Sequence, residues 1–132
     1  MVSLVNRNNF YVKVSNNTPL TMPEIFKEVV EKSEISGKLI LSPTRVAEVV
    51  VWRQIAMYLM CRTGYFSLKE IGRFWGKDHS TIISARDRIQ DLLDCNDTFV
   101  TTKINLVSTI LNSTPSNYKP KYSYKKFRRN EA

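Results

Sequence analysis

Four consecutive polar residues, Asp78, His79, Ser80 and Thr81, offer a compact set of hydrogen-bonding side chains. Carboxylate, imidazole and hydroxyl groups together donate and accept hydrogen bonds, as contact with the edges of nucleic-acid bases requires. The apolar positions that follow recur at helical spacing, so these four residues begin a helix whose core does not need them. Because recognition helices contact bases with their N-terminal residues, the pattern is compatible with DNA binding.

Local signals place a second, shorter helix directly before these residues. Ser67 and Glu70 have the spacing of a capping box, Gly76 is suited to end a helix, and Asp78 is expected to cap the next helix with its side chain. Residues 67–89 therefore have the pattern of a helix-turn-helix. The same pattern occurs in helical pairs that do not bind DNA, where His79 would only cap or stack at the helix start, and this alternative stays open here. The residues expected to face the core are Leu68, Ile71, Trp75, Ile82, Ala85, Ile89 and Leu92.

The charge of the chain favours a polyanionic partner. The 132 residues carry a formal net charge of +8, and residues 112–132 account for +5 of it. Nucleic acid fits better than a membrane surface, because the sequence has no strongly basic amphipathic helix, no apolar run of membrane-spanning length and no signal-peptide pattern. A cytoplasmic, nucleoid-associated protein is expected.

Enzymatic and metal-binding functions find no support in the composition. The chain has two cysteines, Cys61 and Cys95, and one histidine, so neither a disulfide nor a zinc site is expected. It also lacks a nucleophile motif and clustered carboxylates. We therefore expect no catalytic residue, no metal and no cofactor, and we place Cys61 in the core.

The chain is predicted to be an all-α helical bundle between two polar ends. Residues 1–20 form an arm with a short strand or ordered segment near residues 10–14, residues 21–111 form the helical domain, and residues 112–132 form a disordered basic tail. Helices are expected over about 22–34 and 46–62 and from Asp97 to about Leu111. A break at Gly37 followed by an apolar link over 39–41 is expected between the first two, and Trp52 and Trp75 are assigned to the core.

Three motifs, in the right order, resemble the C-terminal double-stranded-DNA-binding domain of the bacterial replication initiator DnaA, its domain IV. The motifs are Arg53-Gln-Ile-Ala-Met-Tyr-Leu59, Ser67-Leu-Lys-Glu-Ile-Gly72 and Asp78-His-Ser-Thr81, and the resemblance extends from about residue 25 to residue 111. It implies a Trp-repressor-like bundle that binds double-stranded DNA as a monomer.

The resemblance also implies which residues contact DNA. Asp78, His79 and Ser80 match positions that contact base edges in the major groove, and Arg45 matches an arginine that enters the minor groove. Other matching positions hold phosphates: Arg53, Gln54, Leu68, Lys69, Lys77, Thr81, Ser84 and Arg88. For Arg53 and Arg88, ordinary solvated helix charges are the alternative.

Two departures from the family limit the expected function. Val46 and Ala47 stand beside Arg45 where the family's loop carries several basic residues, so non-specific affinity for DNA should be weaker. The sequence has no phosphate-binding loop of an ATPase. We expect a stand-alone, sequence-specific DNA-binding protein that acts in control of replication initiation or of transcription. A protein-interaction module that docks replication proteins is the alternative. The basic tail is expected to follow phosphates, or else only to keep the chain soluble.

Overall fold

A computed structural model describes residues 14–15 and 18–107, and within these ranges the chain is helical apart from one minimal strand pair. Strand β1 (Val14–Ser15) runs antiparallel to β2 (Thr18–Pro19). The six helices are α1 (Met22–Ser33), α2 (Gly37–Leu41), α3 (Ala47–Arg62), α4 (Leu68–Trp75), α5 (His79–Asp94) and α6 (Thr98–Leu106). The predicted all-α bundle is confirmed. The predicted tail, residues 112–132, and most of the predicted arm lie outside the described residues.

Helix α3 is the centre of the bundle. Its sequence is apolar on nearly every face, and ten of its residues are buried. A helix that is hydrophobic all round must be surrounded by other elements. Helices α1, α2, α4, α5 and α6 all pack against it. Trp52, Trp75 and Cys61 are all in the core, as predicted, and burial raises the pKa of the Cys61 thiol to about 12. Both cysteines are reduced.

Helices α3 and α5 run in opposite directions where they meet. Tyr58 Oη donates a hydrogen bond to Gln90 Oε1 at 3.0 Å, near the C-terminal end of α5. Cys61, one turn further along α3, lies within electrostatic reach of Arg86 and Asp87, which come earlier in α5. The N-terminal end of α5 therefore lies toward the C-terminal end of α3, and the loop before α3 lies toward the other end.

Helix α6 is fixed to the first half of α3 by a buried lysine. The amine of Lys103 donates to Glu48 Oε2 at 2.8 Å and lies 4.1 Å from the centroid of the Phe99 ring and 5.4 Å from that of Trp52. The same carboxylate oxygen accepts from Trp52 Nε1. The amine is thus paired with a carboxylate and two aromatic rings, which offsets the cost of burying its charge.

Two local predictions were wrong, and a third was confirmed in part. Gly37 does not break the chain but begins α2, because the side chain of Ser36 accepts from the backbone N–H of Leu39 and caps a helix that includes the predicted link. Asp78 occupies the predicted N-cap position of α5, but its side chain makes no capping hydrogen bond, and its Oδ2 accepts from Ser80 Oγ. Leu93, not Leu92, completes the fully buried stripe of α5, and Leu92 packs at its margin. The last described helix ends at Leu106, and Leu111 lies outside the described residues.

Candidate nucleic-acid interface

The turn between α4 and α5 depends on two glycines. Gly76 ends α4 with φ of 66°, a left-handed conformation that glycine adopts without steric cost. The N–H of Lys77 then donates to the carbonyl of Gly72 at 2.8 Å. A Cβ on Gly72 would lie 2.6 Å from the carbonyl oxygen of Lys77, so a side chain there would displace the turn. Helix α5 can therefore follow α4 in its observed orientation only if residue 72 has no side chain.

Three side chains at the start of α5 are exposed and interact with one another. Ser80 Oγ donates to Asp78 Oδ2 at 2.6 Å, and His79 Nδ1 lies 3.5 Å from Asp78 Oδ1. The side chains of His79 and Asp78 are 56% and 68% exposed. The Ser80 hydrogen bond, and secondarily the neighbouring imidazole, keeps the pKa of Asp78 below its ordinary value. The three predicted base-contacting groups are thus brought together on the surface, with the carboxylate ionised at neutral pH.

A polar stripe continues from these groups along α5. Thr81, Ser84 and Arg88 are exposed and lie three and four residues apart, a spacing that places them on one helical face. Asp91 is the next exposed residue at this spacing, and a carboxylate there would repel phosphate. The stripe that can approach DNA therefore occupies the first two-thirds of α5, and Lys77 lies exposed just before it.

The loop before α3 presents Arg45 on a separate part of the surface. Arg45 and Val46 are both exposed, Val46 to 59%. Arg53, from the second turn of α3, donates to three carbonyl oxygens of this loop and of α2: Ile40 and Ser42 at 2.7 Å and Thr44 at 3.3 Å. Partial burial lowers the pKa of Arg53 from its ordinary value. The structure thus directs the guanidinium of Arg53 toward the protein's own backbone.

The remaining predicted phosphate contacts differ in accessibility. Lys69 is exposed in the first turn of α4, whereas Leu68, beside it, packs partly against the core. The Gln54 side chain is partly buried, and its Oε1 atom accepts no hydrogen bond from the described residues. Lys69 is therefore the side chain of this group best placed to reach a phosphate, whereas Leu68 is the first residue of α4 and has only its backbone N–H to offer an anion.

The two exposed sets lie toward opposite ends of α3. Arg45 lies before its first turn, and the start of α5 lies toward its last turn, as indicated by the hydrogen bond between Tyr58 and Gln90 and by the electrostatic influence of Arg86 and Asp87 on Cys61. The two sets therefore form separate parts of the surface.

Fold and surface together define a helix-turn-helix domain of the DNA-binding type. Residues 22–89 match the family model for the bacterial DnaA protein helix-turn-helix. The match covers more than half of the chain and includes α1 to most of α5. The chain belongs to this DnaA helix-turn-helix family.

Curated relatives agree with this assignment. The chain is 36% identical to the chromosomal replication initiator protein DnaA of Enterococcus faecalis over 101 residues, which is 76% of this chain and 22% of that protein. It is 38% identical to the DnaA of Rickettsia akari over 98 residues, covering 74% of this chain and 21% of the relative. For Oenococcus oeni DnaA, identity is 31% over 85 residues, or 64% and 19% of the two chains. The chain spans about a fifth of the length of these relatives.

Sequence reasoning missed the bonds that shape the loop. Arg53 was assigned to phosphate because its position matches the family's motif, and no local pattern indicates that its partners lie 9, 11 and 13 residues earlier. Gly72 indicates from the sequence that a neighbouring helix packs closely against α4, and in the structure the close neighbour is the backbone of Lys77 in the turn. A glycine inside an otherwise good helix was the available signal, since helix interiors disfavour glycine unless close packing needs it.

Proposed function

We propose that this protein binds double-stranded DNA in a sequence-specific manner, at a site similar to the DnaA box. The observation that carries the proposal is the set of three exposed side chains at the start of α5, held by a helix-turn-helix whose glycine turn excludes a Cβ. A rigid helix start with exposed polar groups is the arrangement by which such domains contact the major groove. The family assignment and the positive charge of the chain support it further.

The chemistry of each group fits a base edge. The carboxylate of Asp78 can accept from the amino group of cytosine, and His79 and Ser80 can bond to purine edges. Thr81, Ser84 and Arg88 would then face phosphate along the same side of α5, with Lys77 and Lys69 nearby. Arg45 would enter the adjacent minor groove, where a guanidinium responds to groove width and to the acceptors of A·T pairs.

The biological role we propose is control of replication initiation or of transcription by occupation of such sites, without ATP hydrolysis. The match lies in the helix-turn-helix and not in an ATPase domain, and the sequence carries no phosphate-binding loop. Occupation of a site by this chain would compete with any initiator that uses the same sequence. We expect one chain to bind one asymmetric site.

Titration of two labelled duplexes at one fixed salt concentration tests the proposal. One duplex carries a DnaA box, and the other has the same base composition in scrambled order. We expect the box to bind at least 10-fold more tightly, since specific and non-specific affinities of such proteins typically differ by a factor of about 1,000 or more. Equal affinity for both duplexes would contradict sequence specificity.

The second candidate is a protein-interaction module that docks a replication protein. The observation in its favour is the exposure of Leu39, Leu41 and Val46 around the loop before α3, at 43%, 52% and 59%. Arg45→Ala and His79→Ala separate the two functions. Both changes should weaken binding to the box, whereas a module that binds only protein would keep its partner and show no box preference to lose.

A further inference from the structure

The loop between α2 and α3 is held by a single side chain that comes from outside it. Arg53 uses all three of its guanidinium nitrogens: Nε donates to the carbonyl of Ile40, Nη2 to that of Ser42 and Nη1 to that of Thr44. The planar guanidinium offers five N–H groups in a fixed fork, which is the geometry needed to bond several acceptors at once. No other residue type could reproduce all three bonds.

The backbone of the loop arranges these carbonyls on one side. Ser42 has φ of −77° and ψ of 167°, the extended conformation favoured for a residue before proline. In extended backbone, alternate residues point the same way, so the carbonyls of Ser42 and Thr44 can face one donor. Ile40 lies in the last turn of α2, whose carbonyls have no partner within the helix and favour a nearby positive charge. Arg53 thus caps α2 and orders the extended segment that follows.

Arg45 comes directly after the segment that Arg53 holds. Hydroxyl side chains contribute to the shape of the loop, since the N–H of Thr44 donates to Ser42 Oγ and the N–H of Val46 donates to Thr44 Oγ1, both at 3.3 Å. The bonds to Ile40 and Ser42 are shorter, at 2.7 Å, and through them Arg53 connects the segment before Arg45 to α3. On the other side of Arg45, the carbonyl of Val46 accepts from the N–H of Val50 in α3 at 2.9 Å. The backbone of Arg45 therefore lies between two connections to α3, and the one that precedes it depends on Arg53.

We propose that Arg53 is a positioning residue that fixes the Arg45 loop for insertion into the minor groove, and that it acts through this loop and not through a phosphate contact of its own. The proposal rests on the proposed function, because it assigns Arg45 to DNA. It differs from the role that the family motif implies for position 53. Three of the five guanidinium N–H groups bond carbonyls, so only the second N–H of Nη1 and of Nη2 is left for a phosphate. Any reorientation of the guanidinium toward a phosphate would take the present donors away from these carbonyls.

A double-variant cycle on the full chain tests this proposal through DNA binding. The variants are Arg53→Gln, Arg45→Ala and the two combined, with Lys27→Gln on α1 as a control that removes one exposed positive charge elsewhere. We expect Arg53→Gln to weaken box binding by no more than Arg45→Ala does, and to add less than about twofold when Arg45 is already absent, because residues acting as one unit are not additive. Independent losses that multiply would overturn the proposal.

The salt dependence of the same titrations separates positioning from a phosphate contact. In the Arg45→Ala background, Arg53→Gln should leave the slope of log affinity against log salt unchanged, whereas loss of a phosphate contact would reduce the slope by about 0.9. Arg53→Lys gives a second comparison, because lysine keeps the charge but cannot place donors in a planar fork. We expect it to bind like Arg53→Gln. If Arg53→Lys kept wild-type affinity, a phosphate contact would be the better account.

Backbone order in the unbound protein provides a readout that does not depend on DNA. We expect amide relaxation measurements by NMR to show lower order parameters at Thr44, Arg45 and Val46 in both Arg53 variants and unchanged values in Lys27→Gln. Unchanged order in the loop would contradict the positioning role. Should the wild-type chain show no box preference while the loop loosens in the variants, the proposed function would fail and the structural role of Arg53 would stand. Thermal unfolding curves confirm that each variant is folded, and Arg53→Lys serves if Arg53→Gln is not.

Discussion

The turn before α5 and the loop before α3 each present one set of candidate DNA-contacting side chains, and they are held by different kinds of interaction. The turn is held by bonds between residues close in sequence, such as Lys77 N–H to Gly72 and Ser80 to Asp78. The loop is held by Arg53, whose partners lie 9 to 13 residues away. Short-range bonds leave a local signal in the sequence, such as a glycine inside a helix, whereas bonds from a distant side chain leave none.

The two regions also differ in how a substitution should affect them. The start of α5 sits on a turn that leaves no space for a Cβ at residue 72. The loop has exposed Arg45 and Val46, and the guanidinium of Arg53 connects the segment before Arg45 to α3. We therefore expect a side chain at residue 72 to displace the start of α5, and a substitution at residue 53 to leave the Arg45 loop less ordered.

The largest effect is expected from Gly72→Ala. The added Cβ would lie 2.6 Å from the carbonyl oxygen of Lys77, so the turn must shift and α5 with it. We expect the free energy of unfolding to fall by about 1–3 kcal/mol, as for other overpacked sites, and box affinity to fall to the level of non-specific DNA. Chemical denaturation and duplex titration measure the two effects.

Gly76→Asn is the matched control for that change. A Cβ at residue 76 would meet no atom within 4 Å, and asparagine tolerates the left-handed conformation that φ of 66° requires. We expect box affinity close to that of the wild type. If Gly72→Ala behaved like Gly76→Asn, the turn would not depend on close approach at residue 72.

His79→Ala should have the next largest effect, and it should be confined to specific binding. A base contact of this kind contributes about 1–3 kcal/mol of discrimination, which corresponds to a loss of roughly 5- to 150-fold in box affinity. Affinity for the scrambled duplex should change little, because base contacts determine sequence preference and phosphate contacts by other side chains supply non-specific affinity. A parallel loss on both duplexes, in a variant with a normal melting curve, would argue against base contact by His79.

Glu48→Gln removes the ion pair with Lys103 in the first turn of α3, directly after the loop. We expect this change to affect stability and not DNA binding. The amine of Lys103 would lose its carboxylate partner while staying enclosed by Phe99 and Trp52, so we expect the free energy of unfolding to fall by about 1 kcal/mol. The hydrogen bond from Lys103 keeps the pKa of Glu48 below its ordinary value of 4.5. The stabilisation is therefore present above pH 4.5 and is lost as pH falls through the lowered pKa of the folded state.

Denaturation at several pH values checks that sign. The wild type should lose more stability than Glu48→Gln on acidification below pH 4.5, and the two proteins should converge. Box affinity of the folded variant at neutral pH should match the wild type. A difference that grows at low pH would contradict the assignment of the pair.

Among the changes that should alter DNA binding, the smallest effect is expected from Lys69→Ala. Lys69 is exposed at the start of α4, where the charge and the helix N-terminus both favour phosphate. Its loss should weaken binding to box and scrambled duplexes equally and reduce the salt slope by about 0.9. A loss confined to the box would indicate a base contact instead.

Much of the fold could be predicted because its signals are local. The capping boxes at Thr21 and Ser67, the left-handed Gly76 and the apolar spacing of α5 each involve residues within a few positions of one another. The error at Gly37 has a physical cause, since glycine was interpreted as a break when Ser36 supplied the cap that begins α2. At Asp78 the N-cap position was predicted correctly, but the side-chain bond that the structure shows is to Ser80 Oγ and not to the backbone of α5.

The candidate site could be predicted only in part for the same reason. The exposed set from Asp78 to Thr81 follows from position at a helix start, and the structure brings its first three members together. The internal bonds of Arg53 depend on how α2, the loop and α3 meet, which no local pattern contains. The DNA contacts of Arg45, Gln54 and the other residues assigned from the resemblance to the family stay predictions.

The central claim is that two separate surfaces, one at the start of α5 and one at Arg45, each determine part of the DNA sequence bound. Selection of bound duplexes from a random pool, carried out with the wild type, His79→Ala and Arg45→Ala, tests it directly. We predict a preferred asymmetric site for the wild type, loss of preference at one block of positions for His79→Ala, and loss at a different, adjacent A·T-rich block for Arg45→Ala. No preferred site for the wild type, or loss at the same positions in both variants, would contradict the claim.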